Sequence, residues 1–148
     1  MDKELRVGLQ RVRFNCEATR GLYRDLIAVP GSERCTCISC KNFAAQRTKI
    51  FPEEFLTFLK ELGVDPPHEW EAFDYDFGPE NPHTHLYGGW FLFCGELIEG
   101  LDKKSELGAR TFAHWFTTSF PASTLPKEVK LCAVEFLARI PWILPENS

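Results

Sequence analysis

The hydrophobic pattern in the second half of the chain constrains the fold more than any other feature of the sequence. Residues 88–98 contain the run WFLF, which is apolar on both faces and is typical of a central β-strand. Residues 110–120 and 130–142 place apolar side chains at alternate positions, as half-buried strands do. The connections between these segments are short and rich in turn residues. The pattern therefore predicts three consecutive strands that pair antiparallel.

The first half of the chain carries helix signals instead. Residues 52–62 begin with a proline and two glutamates, carry an apolar stripe at helical spacing and are followed by a glycine, so they form the clearest predicted helix. A short helix is also predicted over residues 19–27, with Thr19 as its N-cap. Residues 11–18 alternate as a strand does, although the apolar spacing across residues 5–16 also fits a helix, and both interpretations remain open.

These elements predict an α+β fold for a single globular domain over residues 1–148. We expect a mostly antiparallel β-sheet packed against two or three helices. A chain of 148 residues is long enough to bury a core of its own. Residues 65–85 have little periodicity and many proline and acidic residues, so they are predicted to form a long loop, of the kind that often carries function.

Charge and hydropathy narrow the range of partners. The net charge is −4 and the isoelectric point is about 5.6, which argues against binding of nucleic acid through its phosphates. No apolar run approaches the roughly 20 residues needed to span a bilayer, so no membrane partner is expected. The chain starts without the apolar segment of a secretory signal, which predicts a cytoplasmic protein with reduced cysteines. The acidic side chains of residues 69–80 are predicted to be solvated.

Half of the six cysteines lie within one short run, and Cys35, Cys37 and Cys40 are candidate zinc ligands. Cys37 and Cys40 have the C-x-x-C spacing of half a structural zinc site. Cys35 and Cys37 would be about 7 Å apart along an extended strand, which is too far for one ion unless the chain turns between them. A fourth ligand has to come from a distance, and the candidates are Cys16, His83 and His85.

Two other interpretations of the cluster remain open. A C-x-x-C pair at the start of a helix is the arrangement of a redox-active dithiol, and Lys41 would favour the thiolate. Alternatively, the cysteines pack as small hydrophobic residues, because Cys37 and Cys40 fall on one face of a helix over residues 38–49. Spacing favours this packing interpretation, since no glycine or proline between Cys35 and Cys40 provides a turn.

Three segments together resemble one family. The run CTCISCKNF, the segment FPEEFLTFLKELGVD and the strand LYGGWFLFCGEL are similar to a group of small uncharacterised bacterial proteins with a CxCxxCxNF…LGxD…YGGWxxF pattern. The resemblance covers roughly residues 33–98 and implies no established activity or cofactor. It implies that eight residues form a single constellation: Cys35, Cys37, Cys40, Asn42, Tyr87, Gly88, Gly89 and Trp90.

The sequence contains no spacing that identifies a nucleophile and its base. The leading hypothesis is therefore a non-enzymatic, cytosolic bacterial domain that needs no cofactor and binds an unidentified protein or small-molecule ligand. Its site is predicted where the loop at 65–85 meets the aromatic strand, at Asp76, His85, Tyr87 and Trp90. The alternative is a zinc-dependent enzyme that uses the cysteine cluster and a carboxylate base, or a structural domain that zinc stabilises.

Overall fold

The structure, a computed structural model, describes residues 2–76, 83–100, 107–120 and 125–145. These residues form a six-stranded antiparallel sheet and three α-helices, which confirms the predicted α+β fold. In chain order the elements are β1 (Asp2–Val7), β2 (Gln10–Asn15), α1 (Cys16–Asp25), a 3₁₀ turn (Gly31–Arg34), α2 (Ile38–Ala45), α3 (Glu53–Leu62), β3 (Glu71–Asp74), β4 (Thr84–Glu99), β5 (Phe112–Thr117) and β6 (Leu131–Pro141).

The long strand β4 is the centre of the sheet. The strand order is β1-β2-β4-β6-β5, and β3 also pairs with β4. The first part of β4 pairs with β3 and its last part with β2, while β6 runs along its other side. Phe91, Leu92 and Phe93 have no exposed surface, so this strand is buried on both faces as predicted.

The helix predicted over residues 52–62 is α3. Its first turn carries two glutamates, whose negative charge suits the positive end of the helix dipole. Phe55, Leu59 and Leu62 are buried against the sheet. Gly63 ends the helix at φ 92°, a left-handed conformation that favours glycine, and its amide donates to the last turn. Local signals therefore determine this element at both ends.

β1 and β2 form a hairpin, so the helical interpretation of residues 5–16 is wrong. Val7 pairs with Gln10 across a two-residue turn that contains Gly8 at φ 58°. Leu5 lies directly opposite Val12 in the hairpin. Two of the apolar residues that suggested a helix thus face each other across two strands.

The boundary between β2 and α1 lies earlier than the sequence predicted. The strand interpretation of residues 11–18 is right only as far as Asn15, whose side chain accepts a hydrogen bond of 2.9 Å from the amide three residues later and caps α1. Thr19, the predicted cap, lies inside the helix. Its hydroxyl donates to the carbonyl oxygen of Asn15 and accepts from the amide of Cys94, each at 2.9 Å. Thr19 therefore fixes α1 to β4.

The predicted loop at 65–85 contains a strand, β3, and the prediction of an irregular segment is wrong there. Residues 71–74 pair with residues 87–90 of β4. Four residues are too few to show a periodic pattern, and the pairing stabilises the strand. Residues 77–82 of this loop lie outside the described residues.

β2 and β5, which are not neighbours in the strand order, approach each other at Gln10. Its side-chain amide donates to the carbonyl oxygen of Phe116 at 2.8 Å and accepts from the amide of Phe116 at 2.9 Å. One side chain therefore joins β2 to the edge of β5 as another strand would.

The helices α2 and α3 pack on one face of the sheet, where Phe43 stacks on Phe136 and Phe55 packs on Phe112. None of the helices in the described parts of the chain has the length and apolar character of a membrane span.

Candidate metal centre

The structure brings the sulfurs of Cys35, Cys37 and Cys40 together. All three Sγ atoms lie within 4.8 Å of one another, and those of Cys35 and Cys37 are 3.2 Å apart. Two thiolates on one tetrahedral zinc ion are about 3.8 Å apart, from a zinc–sulfur bond of ~2.3 Å. The three thiols are thus close enough to bind one metal ion. The packing interpretation of the cluster is wrong for Cys35 and Cys37, which are exposed, and only Cys40 is buried.

The start of α2 explains how the chain achieves this without glycine or proline. The chain bends at Cys37, which is the N-cap of the helix. The Sγ atom of Cys37 accepts a hydrogen bond from the amide of Cys40, and the Sγ atom of Cys35 accepts one from the amide of Cys37, each at 3.4 Å. The sulfur of Cys37 therefore caps the helix in place of the usual aspartate or serine oxygen. The bend at this residue brings Cys35 back toward the helix.

The local environment separates Cys35 from Cys40 in acidity. The backbone amide of Cys37, followed by the neighbouring thiols, lowers the pKa of Cys35. Burial raises the pKa of Cys40 far above its usual range, and the neighbouring sulfurs add to this effect. Cys35 therefore loses its proton more readily than Cys40 does. A metal ion has to displace the proton of Cys40, so metal affinity rises with pH.

A buried ion pair positions the segment before Cys35. Glu69, predicted to be solvated, has no exposed surface, and its carboxylate accepts a 2.5 Å hydrogen bond from the Ser32 hydroxyl. Arg47 donates to the same hydroxyl at 2.7 Å, and its Nε lies 3.5 Å from the second carboxylate oxygen. Burial raises the pKa of Glu69, with Ser32 and Arg47 opposing the shift. This network holds the 3₁₀ turn in place, and the sequence contained no signal for it because its members lie far apart.

Close backbone packing completes the support of the turn. The Gly31 amide donates to the carbonyl oxygen of Glu69 at 2.7 Å, and a Cβ atom at Gly31 would clash with the backbone of Trp70. The guanidinium of Arg34 lies 4.5 Å above the centre of the Trp70 ring and donates to the Trp70 carbonyl oxygen. The chain that leads to Cys35 is therefore anchored on the residues that precede β3.

A cleft opens beside the three sulfurs. It has a volume of ≈ 470 Å³ and lies between the cysteine-bearing segment and β3. Two carboxylates face it, from Glu71 and Asp74, and Glu71 is near enough to raise the pKa of Cys35 slightly against the stronger hydrogen bonds. Its lining residues are Gly31, Cys35, Cys37, Ser39, Cys40, Glu71, Ala72, Phe73 and Asp74.

Asp74 joins α2 to the sheet at the floor of this cleft. One carboxylate oxygen accepts from the Ser39 hydroxyl at 2.8 Å and lies 2.7 Å from Nδ1 of His85, and the other accepts from the amide of Asp76 at 2.9 Å. His85 has no exposed surface and stacks on Trp142 with 4.7 Å between ring centroids. The buried Asp74–His85 pair therefore fixes the residue that precedes Cys40.

Asn42 and Tyr87 make a second connection between α2 and β4. The Tyr87 hydroxyl donates to the carbonyl oxygen of Ser39 at 2.7 Å and lies 3.4 Å from the side-chain nitrogen of Asn42. The side-chain oxygen of Asn42 accepts from the amide of Ile143 at 2.9 Å. Burial raises the pKa of Tyr87, so the phenol keeps its proton. These contacts bring together parts of the constellation that the family resemblance implies.

The structure does not bring the four predicted ligand-binding residues together on one face: three lie on β4 and Asp76 follows β3 in a turn. His85 and Tyr87 are buried and face α2. Trp90 is half-buried and packs on Phe73, with 5.1 Å between ring centroids, and Asp76 is exposed. Ligand binding by these residues stays a prediction. The described residues that were candidates for a fourth metal ligand, Cys16, His83 and His85, do not join the three sulfurs.

No known protein family, curated protein or solved structure matches this chain.

Proposed function

We propose that this chain is a metal-binding domain in which Cys35, Cys37 and Cys40 hold one zinc ion whose fourth position faces the neighbouring cleft. The proposal rests on one observation, the convergence of three Sγ atoms within 4.8 Å of one another. Backbone amides of Cys37 and Cys40 already donate hydrogen bonds to two of these sulfurs. These bonds lower the free-energy cost of placing thiolates close together.

The donor set favours a soft or borderline ion. Thiolates select zinc, copper(I) and iron–sulfur clusters over magnesium or calcium. Three protein ligands leave one coordination position, which is the arrangement of zinc sites that accept an outside ligand. Glu71 and Asp74 line the same cleft, so the fourth ligand would enter with the cysteine thiolates on one side and two carboxylates on the other.

A binding role is supported more strongly than an enzymatic one. Both oxygens of the Asp74 carboxylate are already engaged in contacts with the protein, so this side chain is not free to take a proton from a substrate. The fourth ligand would then be a small molecule or a side chain of a partner protein. Six free cysteines and the resemblance to small bacterial proteins support a cytoplasmic bacterial setting.

The first test is the metal content of the full chain, purified in reductant without added metal and then titrated with zinc or cobalt(II). We expect one ion per chain and a thiolate-to-cobalt charge-transfer band. The substitutions Cys35→Ser, Cys37→Ser and Cys40→Ser should each lower affinity at least about tenfold, because each removes a ligand. Cys16→Ser is the matched control, since this half-buried thiol lies outside the cluster. Sub-stoichiometric metal, with Cys35 and Cys37 fully reactive toward a thiol reagent in the presence of zinc, would contradict the proposal.

The second test separates an open site from a closed structural one. Imidazole or a small thiol, added to the cobalt(II)-loaded chain, should change the ligand-field spectrum because it takes the fourth position. An unchanged spectrum would mean that a fourth protein ligand closes the site. Chelation would then lower stability without abolishing any binding.

A further inference from the structure

We propose that Cys35 and Cys37 are a redox modification site, at which a hydroperoxide converts the metal-free pair into a reversible disulfide. This inference goes beyond metal binding and does not depend on it. It differs from the usual expectation for this run of sequence, in which the C-x-x-C pair of Cys37 and Cys40 would carry the thiol chemistry.

The inference rests on the distance between the two sulfurs. The Sγ atoms of Cys35 and Cys37 are 3.2 Å apart and in direct contact. A disulfide bond is about 2.05 Å long, so the two atoms need to approach by only ~1.2 Å. In an extended chain the Cα atoms of residues i and i+2 are about 6.6 Å apart, which is inside the range of Cα–Cα distances that disulfides span. The bond can therefore form without a rearrangement of the helix or the sheet.

Access favours the same pair. Cys35 and Cys37 are both exposed, whereas Cys40 is buried on α2. The cleft of ≈ 470 Å³ is lined by all three cysteines and admits a small peroxide, but of the three only Cys35 and Cys37 are exposed. Cys40 is also held in the first turn of the helix, where its amide donates to Cys37. An oxidant therefore meets the exposed pair first.

The chemistry balances with a hydroperoxide as the oxidant. The sulfur of Cys35 attacks the terminal peroxide oxygen, the O–O bond breaks, and the products are a sulfenic acid on Cys35 and an alcohol, or water in the case of hydrogen peroxide. The sulfur of Cys37 then attacks the sulfur of Cys35, the S–O bond breaks, and water leaves with the thiol proton. Two thiols and one hydroperoxide thus give one disulfide, one alcohol and one water.

The expected consequence is control of the metal site by oxidation. The disulfide removes two of the three thiolates and leaves Cys40 alone. An oxidised chain should therefore not bind zinc, and a dithiol reductant should restore binding.

The test uses the full chain, treated with a chelator to remove metal and then with hydrogen peroxide. Remaining thiols are alkylated, the protein is digested with trypsin, and the peptides are sequenced by mass spectrometry. Trypsin cuts after Arg34 and Lys41, so all three cysteines lie in one peptide, and fragmentation locates the alkylated residue. We expect the label on Cys40 alone, a mass lower by two hydrogens, and full recovery of three labels after reduction.

Variants provide a second measurement. Cys40→Ser should form the disulfide at a rate close to that of wild type. Cys37→Ser should stop at the sulfenic acid on Cys35, which dimedone traps, whereas Cys35→Ser should form neither that sulfenic acid nor the disulfide. A label on Cys35 with a bond between Cys37 and Cys40 would overturn the inference. So would direct oxidation to sulfinic acid with no disulfide. The wild-type fragmentation result stands even if a variant fails to fold.

A zinc-loaded sample separates this inference from the proposed function. Bound zinc should slow the oxidation, because it occupies both sulfurs. If zinc does not bind, chelated and untreated samples should oxidise alike while the disulfide still forms, and only the metal proposal fails. If zinc binds but no disulfide forms after chelation, only the redox inference fails.

Discussion

The imidazole of His114 on β5 packs against Phe55 and Phe58 of α3, with 5.0 Å between ring centroids in each pair. Burial removes water from this ring and lowers the pKa of His114 below its ordinary value of 6.5. Burial therefore favours the neutral form of this imidazole in the folded protein.

The sign of the pH effect follows from this shift. Below about pH 6.5 the unfolded chain binds a proton on His114 more readily than the folded chain does, so the free energy of unfolding falls as the pH falls. Replacement His114→Gln removes the titrating group. Urea unfolding of both proteins across this pH range should show wild type losing more stability on acidification than the variant. Parallel curves for the two proteins would contradict the prediction.

Asp74 attaches α2 to the sheet. The helix needs such attachments because eight residues are too few to be stable alone. The carboxylate accepts from Ser39 in the first turn of α2 and contacts His85 on β4. The thiol cluster sits on that same turn, so its geometry depends on this attachment.

The substitution Asp74→Asn tests the attachment. The amide offers only one acceptor atom in place of two, which leaves a buried donor without its partner. We expect the free energy of unfolding to fall by about 1–3 kcal/mol. Amide hydrogen exchange at Cys40 and Lys41 should also become faster, because the first turn of α2 loosens.

Asp25→Asn is the control for Asp74→Asn. Asp25 is exposed at the end of α1 and pairs only with its neighbour Arg24 in the contacts that describe it. This change should alter stability by less than about 0.5 kcal/mol. If the two variants unfold at the same urea concentration, Asp74 does not hold the helix in place.

At the scale of the whole molecule, one side chain connects two strands that are distant in the sheet. β2 and β5 are not neighbours in the strand order, yet the Gln10 amide satisfies both backbone groups of Phe116. These two residues lie 106 positions apart in the chain. The contact therefore brings the N-terminal hairpin against the β5 edge of the sheet.

Replacement Gln10→Ala should lower the free energy of unfolding by about 2–4 kcal/mol, because a buried N–H and a buried C=O lose their partners together. Denaturant unfolding measures the loss, and hydrogen exchange of the Phe116 amide should become faster. The neighbouring change Leu9→Ala is the control, since Leu9 is 87% exposed in the hairpin turn. Equal stabilities of the two variants would show that Gln10 does not hold β2 and β5 together.

The sequence by itself determined the elements whose signals are local. Alternation identified β5 and β6, because each buried face repeats every second residue, and a run that is apolar on both faces identified β4. The proline, the glutamates and the glycine around α3 identified both of its ends. The same reasoning gave the α+β class and the antiparallel character of the sheet. The predicted pairing of consecutive strands is right for β5 and β6 but wrong for β4 and β5, because β6 lies between them and pairs with both.

Tertiary structure alone decided the features that depend on distant residues. β3 exists because β4 supplies its hydrogen bonds, and α1 starts where Asn15, rather than the equally plausible Thr19, caps it. The turn that leads to the three cysteines is held by Ser32 and Glu69, which are 37 positions apart. A local sequence pattern cannot predict such contacts, because they stabilise the protein only when folding brings the partners together and removes the water between them.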